Sequence, residues 1–143
     1  MVREMTDDER RTFLLKGTRT AILATTRADG HPVAVPVGFT LDGDDVLILT
    51  HEASVKGRAV QRDPRVTVVV DDPTPPFAYV AIEGTAESTL EQGDERRKAT
   101  TAIGRRYAGP DAVEGFREYA DASLKLLVRV RPTRIVARDQ VGG

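Results

Sequence analysis

Two glycine-containing turns divide the first third of the sequence into short strands, and this spacing constrains the fold more than any other feature. Asp29-Gly30 and Asp42-Gly43-Asp44 are turn sequences, and Asp-Gly is among the strongest short-range signals for a β-hairpin. Residues 20–26, 33–40 and 46–50 around them are apolar and read as strands. Parallel neighbours would need crossovers of about a dozen residues, so the spacing predicts an antiparallel three-stranded meander.

The rest of the chain combines helices with further strands. Thr6 and Glu9 have the capping-box spacing, which predicts the start of a helix, and Gly17 fits its end. Further helices are predicted over residues 54–62, 90–107 and 111–119. Further strands are predicted over residues 65–70, 77–86 with a bend or bulge at Gly84, 124–130 and 133–138, with a stiff loop over residues 71–76. About seven short strands with few helices predict a mainly β fold, a small β-barrel with flanking helices.

The length of 143 residues fits one domain. A domain of this size buries roughly 68–70% of its unfolded surface and so holds a core unaided. We therefore expect a single domain over residues 1–143. Within it, an N-terminal helix occupies residues 1–17, the barrel with a helical insertion at about 90–120 occupies residues 18–138, and residues 139–143 form a loose tail.

Composition and charge exclude several classes of protein. The sequence has no Cys, which excludes disulfides, thiolate metal centres and thiol catalysis. A net charge of −1 argues against nucleic acid as a partner, since nucleic-acid affinity comes mainly from neutralised phosphates. No apolar run approaches the ~18 residues of a membrane span, and the acidic N-terminus lacks a hydrophobic signal core. We therefore expect a cytoplasmic protein with no membrane partner.

The common catalytic and metal-binding motifs are missing from the sequence. It contains no G-x-G-x-x-G, no P-loop and no G-x-S-x-G motif. His31 and His51 do not have the spacing of a helical metal pair, and we interpret both as surface residues. The acidic pair Asp71-Asp72 is interpreted as solvated rather than as a cation site. The sequence thus predicts neither a catalytic residue nor a metal site. The candidate functional features that remain are two segments suited to binding a ligand.

The first such segment covers residues 32–39. Alternate residues of a strand share a face. One face suits a core and consists of Val33, Val35, Val37 and Phe39. The other face is small and consists of Ala34, Pro36 and Gly38. Because Pro36 lacks an amide donor, the strand belongs at an edge or a bulge. Its small face could accept a flat ring; an ordinary edge strand under a loop is the alternative.

The second segment covers residues 49–58. Ser54 follows a strand and is predicted to cap a helix, and helix N-termini bind anions. Lys56 and Arg58 add positive charge at this end, which is unfavourable unless an anion compensates it. The conflict predicts a phosphate-binding role; a solvated basic turn is the alternative.

Eight short pieces of the sequence, in their order and spacing, resemble one known family. They are Ala24-Thr25, Gly30-His31-Pro32, Val35-Pro36-Val37, Leu49-Thr50, Ser54-Val55-Lys56-Gly57-Arg58, Asp63-Pro64-Arg65-Val66, Pro75-Pro76-Phe77 and Glu83-Gly84-Thr85-Ala86. Over about residues 8–138 the chain resembles the pyridoxamine 5′-phosphate oxidase-like, FMN-binding split-barrel proteins. Within them it is most similar to the small actinobacterial branch that uses the deazaflavin coenzyme F420.

The resemblance implies a split β-barrel homodimer with two cofactor sites at the interface. The ring of the cofactor would lie against Val35, Pro36 and Val37. The phosphate would be bound by the segment that contains Leu49, Thr50, Ser54, Val55, Lys56 and Arg58, with Lys56 and Arg58 as its charge partners. The partner subunit would bring Pro76, Phe77 and Tyr79 near the ring or the tail.

The activity implied by the resemblance is hydride transfer between reduced F420 and a small organic substrate. The cofactor carries the redox chemistry and the protein supplies position and dielectric. Two alternatives stay open: an FMN-binding oxidase or flavin reductase, and a non-enzymatic carrier of F420 or another planar ligand. A phosphate on a ribityl chain is common to both cofactors, so phosphate recognition does not separate them.

The sequence departs from the family's pattern at two places. Gly38 stands where a bulky aromatic residue is frequent, and we expect it to widen the substrate pocket. Ala59-Val60 stands where Asn-Leu is frequent, which keeps the helix apolar. Four arginines could steer an acidic cofactor tail, but we favour their interpretation as ordinary surface residues. They are Arg105, Arg106, Arg129 and Arg131.

Overall fold

The computed structural model describes residues 1–142, and an antiparallel sheet of eight strands forms the body of the protein. The strands are β1 (Arg3–Glu4), β2 (Ala21–Thr26), β3 (Pro32–Val37), β4 (Thr40–Asp42), β5 (Asp45–Thr50), β6 (Arg65–Asp72), β7 (Ala78–Thr89) and β8 (Leu126–Asp139). The helices are α1 (Asp7–Leu15), α2 (Val55–Arg62), α3 (Asp94–Tyr107) and α4 (Val113–Ser123), with a 3-10 turn at Pro110–Ala112. The predicted class, mainly β with flanking helices, is confirmed.

The strands follow the order β3-β2-β6-β7-β8-β5-β4, and β1 pairs with β8. The predicted meander is therefore wrong. Its first two strands do form a hairpin, with Ala21 opposite Val37, but the chain then turns away at Gly38-Phe39. The predicted strand 33–40 splits there, and β4 pairs with β5 at the other end of the sheet. Phe39 is fully buried in the barrel, and its burial directs the chain from the β2–β3 end of the sheet order to the β4–β5 end. Turn signals specify hairpins but not the docking of one hairpin on another.

β8 is one strand, where the sequence predicted two strands over 124–130 and 133–138. Pro132 lies inside it, opposite Gly84, where the register shifts between Glu83 and Gly84. The bulge predicted at Gly84 is thus confirmed. The residue without a partner at this shift is Thr133, next to Pro132. Prolines within sheets are tolerated at such breaks in the ladder, so the proline does not end the strand.

The remaining elements agree with the sequence except at their ends. The predicted capping box of α1 is confirmed, with Thr6 and Glu9 bonded reciprocally. β6 extends into the predicted loop 71–76, since Asp71 and Asp72 pair with β7. α3 begins four residues later than predicted, and α4 spans Val113–Ser123 rather than 111–119.

The C-terminal residues are docked on the body of the protein rather than loose. Asp139 belongs to β8 and pairs with Arg3. The amide of Val141 donates to the Phe77 carbonyl at 3.1 Å, and that of Gly142 donates to the Pro76 carbonyl at 2.7 Å. The prediction of a loose tail over 139–143 is therefore wrong for residues 139–142, and Gly143 lies outside the described residues.

Two hydrophobic cores hold the elements together. The first fills the barrel, and its largest fully buried side chains include Phe39, Leu23, Ile48 and Ile82. The second lies between the outer face of the sheet and the α3–α4 pair and contains Leu47, Leu49, Leu127, Ala99 and Ile103. In residues 1–142, no helix combines the length and the apolar composition that a bilayer crossing requires.

Candidate functional site

The connection from β5 to α2 is fixed by Ser54. Its hydroxyl accepts a hydrogen bond from the Gly57 amide at 3.1 Å and donates to the His51 carbonyl at 2.7 Å. Thr50 Oγ1 lies 3.2 Å from Ser54 Oγ. The predicted N-cap is thus confirmed. The remaining amides of the first helical turn have no intrahelical acceptor, so this end of α2 can bind an anion.

Gly57 allows the turn to pack tightly on the helix. A Cβ at this position would stand 2.3 Å from the His51 carbonyl oxygen and 3.0 Å from Ser54 Oγ. Both neighbours belong to the hydrogen-bonded turn, so neither can move without breaking it. The backbone geometry of this helix start therefore requires glycine at position 57.

Positive charge collects at the start of α2. The first turn has no acidic residue, whereas α1 begins with Asp7 and Asp8 and α3 with Asp94. Within residues 1–142, neither Lys56 nor Arg58 makes an ion pair. Lys56 is half-buried and Arg58 is exposed. Because the helix dipole repels cations at this end, the two charges favour a bound anion.

β3 forms one end of the sheet order and presents Pro36 outward. Val37 is buried, and Val35 packs against the barrel core. Of the three predicted ring-binding residues, Pro36 thus has its side chain available for contact with a ring. Val35 and Val37 could contact a ring only through backbone atoms. An end strand leaves one row of backbone groups outside the ladder, which suits hydrogen bonds to the edge of a flat ring.

Two other predicted residues differ in exposure. Leu49 is only 8% exposed, since it packs in the second core under α3. Val55 is 59% exposed at the first position of α2. The structure therefore brings Thr50, Ser54, Val55, Lys56 and Arg58 together at one helix start, and it directs the Leu49 side chain away from them.

Pro76, Phe77 and Tyr79 lie at the other end of the barrel. Thr50, which lies shortly before the start of α2, pairs with Leu126, whereas Tyr79 pairs with Arg138. These two partners are twelve positions apart along β8, about 40 Å of strand length. Phe77 is 42% exposed. One protomer therefore does not bring these three residues to the start of α2.

The sequence of the chain matches a family model over most of its length. The model for pyridoxamine 5′-phosphate oxidase matches residues 6–139. The chain belongs to the pyridoxamine 5′-phosphate oxidase family. The resemblance drawn from the eight short pieces is therefore confirmed, and the sheet with its flanking helices is the split barrel of this family.

Solved structures share this fold. A conserved hypothetical protein from Mycobacterium tuberculosis has a TM-score of 0.82 at 25% identity, over 95% of this chain and 86% of that one. A heme-binding protein from Mycobacterium smegmatis has a TM-score of 0.75 at 28% identity, over 100% of this chain and 56% of that one, so this chain spans just over half of it. An F420 reductase has a TM-score of 0.65 at 26% identity, over 87% of this chain and 94% of that one.

Gly38, the first departure from the family pattern, does not open a pocket. A Cβ built on it would stand 3.0 Å from Cε2 of Tyr107, so the aromatic ring of α3 occupies the space. The expected widening at Gly38 is therefore wrong. The second departure behaves as predicted, since Ala59 and Val60 are buried at 1% and 2% exposure.

Three of the four arginines considered for an acidic tail serve the protein's own structure. Arg129 bonds to Asp42, Asp45 and Glu95. Arg131 pairs with Glu87 at 2.7 Å. Arg106 donates to four backbone carbonyls, those of Leu14, Gly17, Arg19 and Phe39. Arg105 is exposed. The favoured interpretation as structural or surface residues agrees with this arrangement.

Sequence reasoning missed Gly57 and Tyr107. A glycine in the first turn of a helix that follows a serine cap was a usable signal, because glycine disfavours helices. Tyr107 carried no such signal, since its role depends on a contact with Gly38 across 69 residues of sequence.

Proposed function

We propose that this pyridoxamine 5′-phosphate oxidase family member binds reduced coenzyme F420 and transfers hydride between it and a small organic substrate. The observation that carries the proposal is the start of α2, where Lys56 and Arg58 stand at a capped helix N-terminus and form no ion pair with any residue from 1 to 142. An F420 reductase among the structures with this fold supports the choice of cofactor.

The residues present fit a cofactor that carries a phosphate and a flat ring. Ser54, Lys56 and Arg58 would hold the phosphate, since hydrogen bonds to charged groups are the stronger ones. Pro36 and the backbone of β3 would face the ring. The absence of a Cβ at Gly57 lets the turn that carries Ser54 pack against the helix start.

The cofactor supplies the redox chemistry when bound. The chain's own residues bind, orient and shield it. We assign no catalytic residue, because hydride delivery needs no protein acid and solvent can supply a proton.

We also propose that the active form is a homodimer. An apolar row crosses the outer face of five paired strands and consists of Pro36, Ile22, Val69, Ala81 and Val136. Ile22 is 39% exposed. A second copy would cover this row and could bring its Phe77 loop to the site that one protomer leaves incomplete.

The oligomeric state tests this second proposal. Val69→Lys places a charge in the row, and light scattering after gel filtration should show a monomer where the intact protein is a dimer. Leu90→Lys is the matched control, since Leu90 is 52% exposed and lies outside the row. An intact protein that runs as a monomer would contradict the proposal.

Fluorescence of F420 tests the cofactor. We expect quenching on titration with the protein, and weaker binding by roughly 1.5–3 kcal/mol for Lys56→Ala, the value of a hydrogen bond to a charged group. Lys98→Ala is the control, because Lys98 is exposed on α3. No binding at about 50 μM, an affinity too weak for a resident cofactor, would reject the proposal.

Two further measurements test the alternatives, an FMN-binding enzyme and a non-enzymatic carrier. A yellow protein with flavin absorbance would favour FMN. Binding of F420 without turnover over a panel of quinones and nitro compounds would favour a carrier.

A further inference from the structure

A cavity of about 460 Å³ lies between α3 and the outer face of β4 and β5. We call it the α3 cavity. Its lining comes from α3, β4, β5 and β8, and it shares no residue with the proposed phosphate and ring sites. Its volume lies within the roughly 300–1,000 Å³ that is typical of sites for small molecules.

Strand register places three side chains of the lining on the side of the sheet that faces α3. Thr40 pairs with Leu47, and Leu47 pairs with Arg129 on its other edge. Residues directly opposite each other share a face of the sheet, and Leu47 packs in the second core beneath α3. The side chains of Thr40 and Arg129 therefore lie on the face that α3 covers.

α3 leaves space over this face because small residues line the cavity on the helix side. Ala99 and Ala102 are three positions apart and so lie on one face of the helix, and both line the cavity. Ala99 is 1% exposed, and Leu47 on the sheet side is 4% exposed. The α3 cavity therefore has apolar walls on two opposite sides, which suits a flat apolar group.

The hydroxyl of Thr40 is an unsatisfied polar group in this cavity. Thr40 is only 9% exposed, yet its Oγ1 forms no hydrogen bond with any other residue between 1 and 142. Unpartnered side-chain atoms that are sealed from solvent belong to Thr25, Glu52 and Arg96, not to Thr40, so a molecule in the cavity can reach Thr40 Oγ1. Because buried polar side chains are nearly always hydrogen-bonded, this hydroxyl indicates a polar contact with a bound molecule.

The charged side chains that line the α3 cavity balance one another. Arg129 donates to Asp42 Oδ2 and to Glu95 Oε1, both at 2.9 Å. Lys98 is exposed and supplies the second positive charge of the lining. Two carboxylates therefore face two cations, and the lining attracts neither an anion nor a cation. This balance favours a neutral ligand.

We propose that the α3 cavity is a second binding site, which takes a small neutral molecule with an apolar ring and one hydroxyl or carbonyl group. The ring lies between Leu47 and the two alanines of α3, and the polar group bonds to Thr40 Oγ1. This inference goes beyond the proposed function and is independent of the cofactor, because no residue of the proposed cofactor site lines the cavity.

Two ligands of similar shape test the polar contact. Benzyl alcohol carries a hydroxyl where ethylbenzene carries a methyl group, and both should shift the backbone NMR signals of Leu47, Ala99 and Ala102 to saturation. Thr40→Val keeps the shape of the side chain and removes its hydroxyl. It should weaken the binding of benzyl alcohol about two- to tenfold, the worth of one net hydrogen bond, and should not weaken that of ethylbenzene.

A filled cavity provides the second test. Ala102→Leu should abolish the shifts from both ligands, whereas Ala122→Leu, the same change at an exposed position of α4, should preserve them. The NMR spectrum of each variant without ligand shows whether it is folded, and if Ala102→Leu is not, the comparison with Thr40→Val decides alone. The proposal is overturned if neither ligand shifts the three signals, if a folded Ala102→Leu variant still binds them, or if Thr40→Val affects both ligands equally.

Discussion

The ring of Tyr107 lies directly against Gly38, at a distance where a Cβ on residue 38 would be 3.0 Å from Cε2 of the ring. The Tyr107 hydroxyl donates to the Arg19 carbonyl at 2.7 Å and accepts from the Phe39 amide at 3.1 Å. The last residue of α3 therefore ties together the start of β2 and the corner between β3 and β4.

Loss of this hydroxyl should destabilise the fold. Tyr107→Phe leaves the ring in place but removes the acceptor of the Phe39 amide, and an unsatisfied buried group costs about 1–3 kcal/mol. Urea unfolding should show this decrease. Tyr119→Phe is the control, since Tyr119 is 56% exposed. Equal unfolding free energies for the two variants would contradict the role of the hydroxyl.

Two helical glycines should respond to alanine with opposite signs. Gly115→Ala adds a Cβ that meets nothing within 4 Å, and we expect stabilisation by about 0.5–1 kcal/mol from helix propensity. Gly57→Ala places its Cβ 2.3 Å from the His51 carbonyl oxygen and should destabilise the protein. Thermal unfolding of both variants measures this, and stabilisation by Gly57→Ala would show that the turn is free to move.

Arg106 should not tolerate the conservative change to lysine. Its guanidinium donates to the carbonyls of Leu14, Gly17 and Phe39 in fixed directions and lies 4.5 Å from the Phe39 ring centroid. A single ammonium group cannot reproduce this arrangement, so Arg106→Lys should lower the unfolding free energy by about 1–3 kcal/mol per carbonyl left unsatisfied. Arg105, its neighbour, is exposed, so Arg105→Lys should leave the unfolding free energy unchanged.

Acid should weaken the docking of α1. The side-chain hydrogen bond from Arg3 lowers the pKa of Glu9 from 4.5 to about 2. Because the folded pKa lies below the ordinary one, ionised Glu9 contributes stability above about pH 4.5, and this contribution is lost as the pH falls towards 2. Unfolding measured over this range should be less pH-dependent for Glu9→Gln than for the intact protein. Glu91→Gln, an exposed position, should keep the full dependence.

Local signals in the sequence predicted the local structure well. The capping box at Thr6, the cap at Ser54 and the bulge at Gly84 all depend on residues close in sequence or on one special backbone requirement, and each was confirmed. The prediction of an anion site from the positive charge of Lys56 likewise depended only on the direction of the helix dipole.

Relations between distant residues could not be predicted in this way. The route of the chain after Val37 depends on burial of Phe39 in a barrel that closes only with later strands. The contact of Gly38 with Tyr107 and the hydrogen bond from Arg62 to the Thr26 carbonyl both join separate elements. No periodicity or motif encodes such pairs, so an open pocket was expected at Gly38.

β8 follows every other strand in the sequence, yet it lies between β7 and β5 in the sheet. Without its 14 residues, the other strands of the sheet order would divide into two groups, β3-β2-β6-β7 and β5-β4, each with an unpaired edge at the break. Exposed edges invite pairing with other chains. The pairing of β8 therefore covers two edges at once, and a variant that cannot pair β8 would expose both to aggregation.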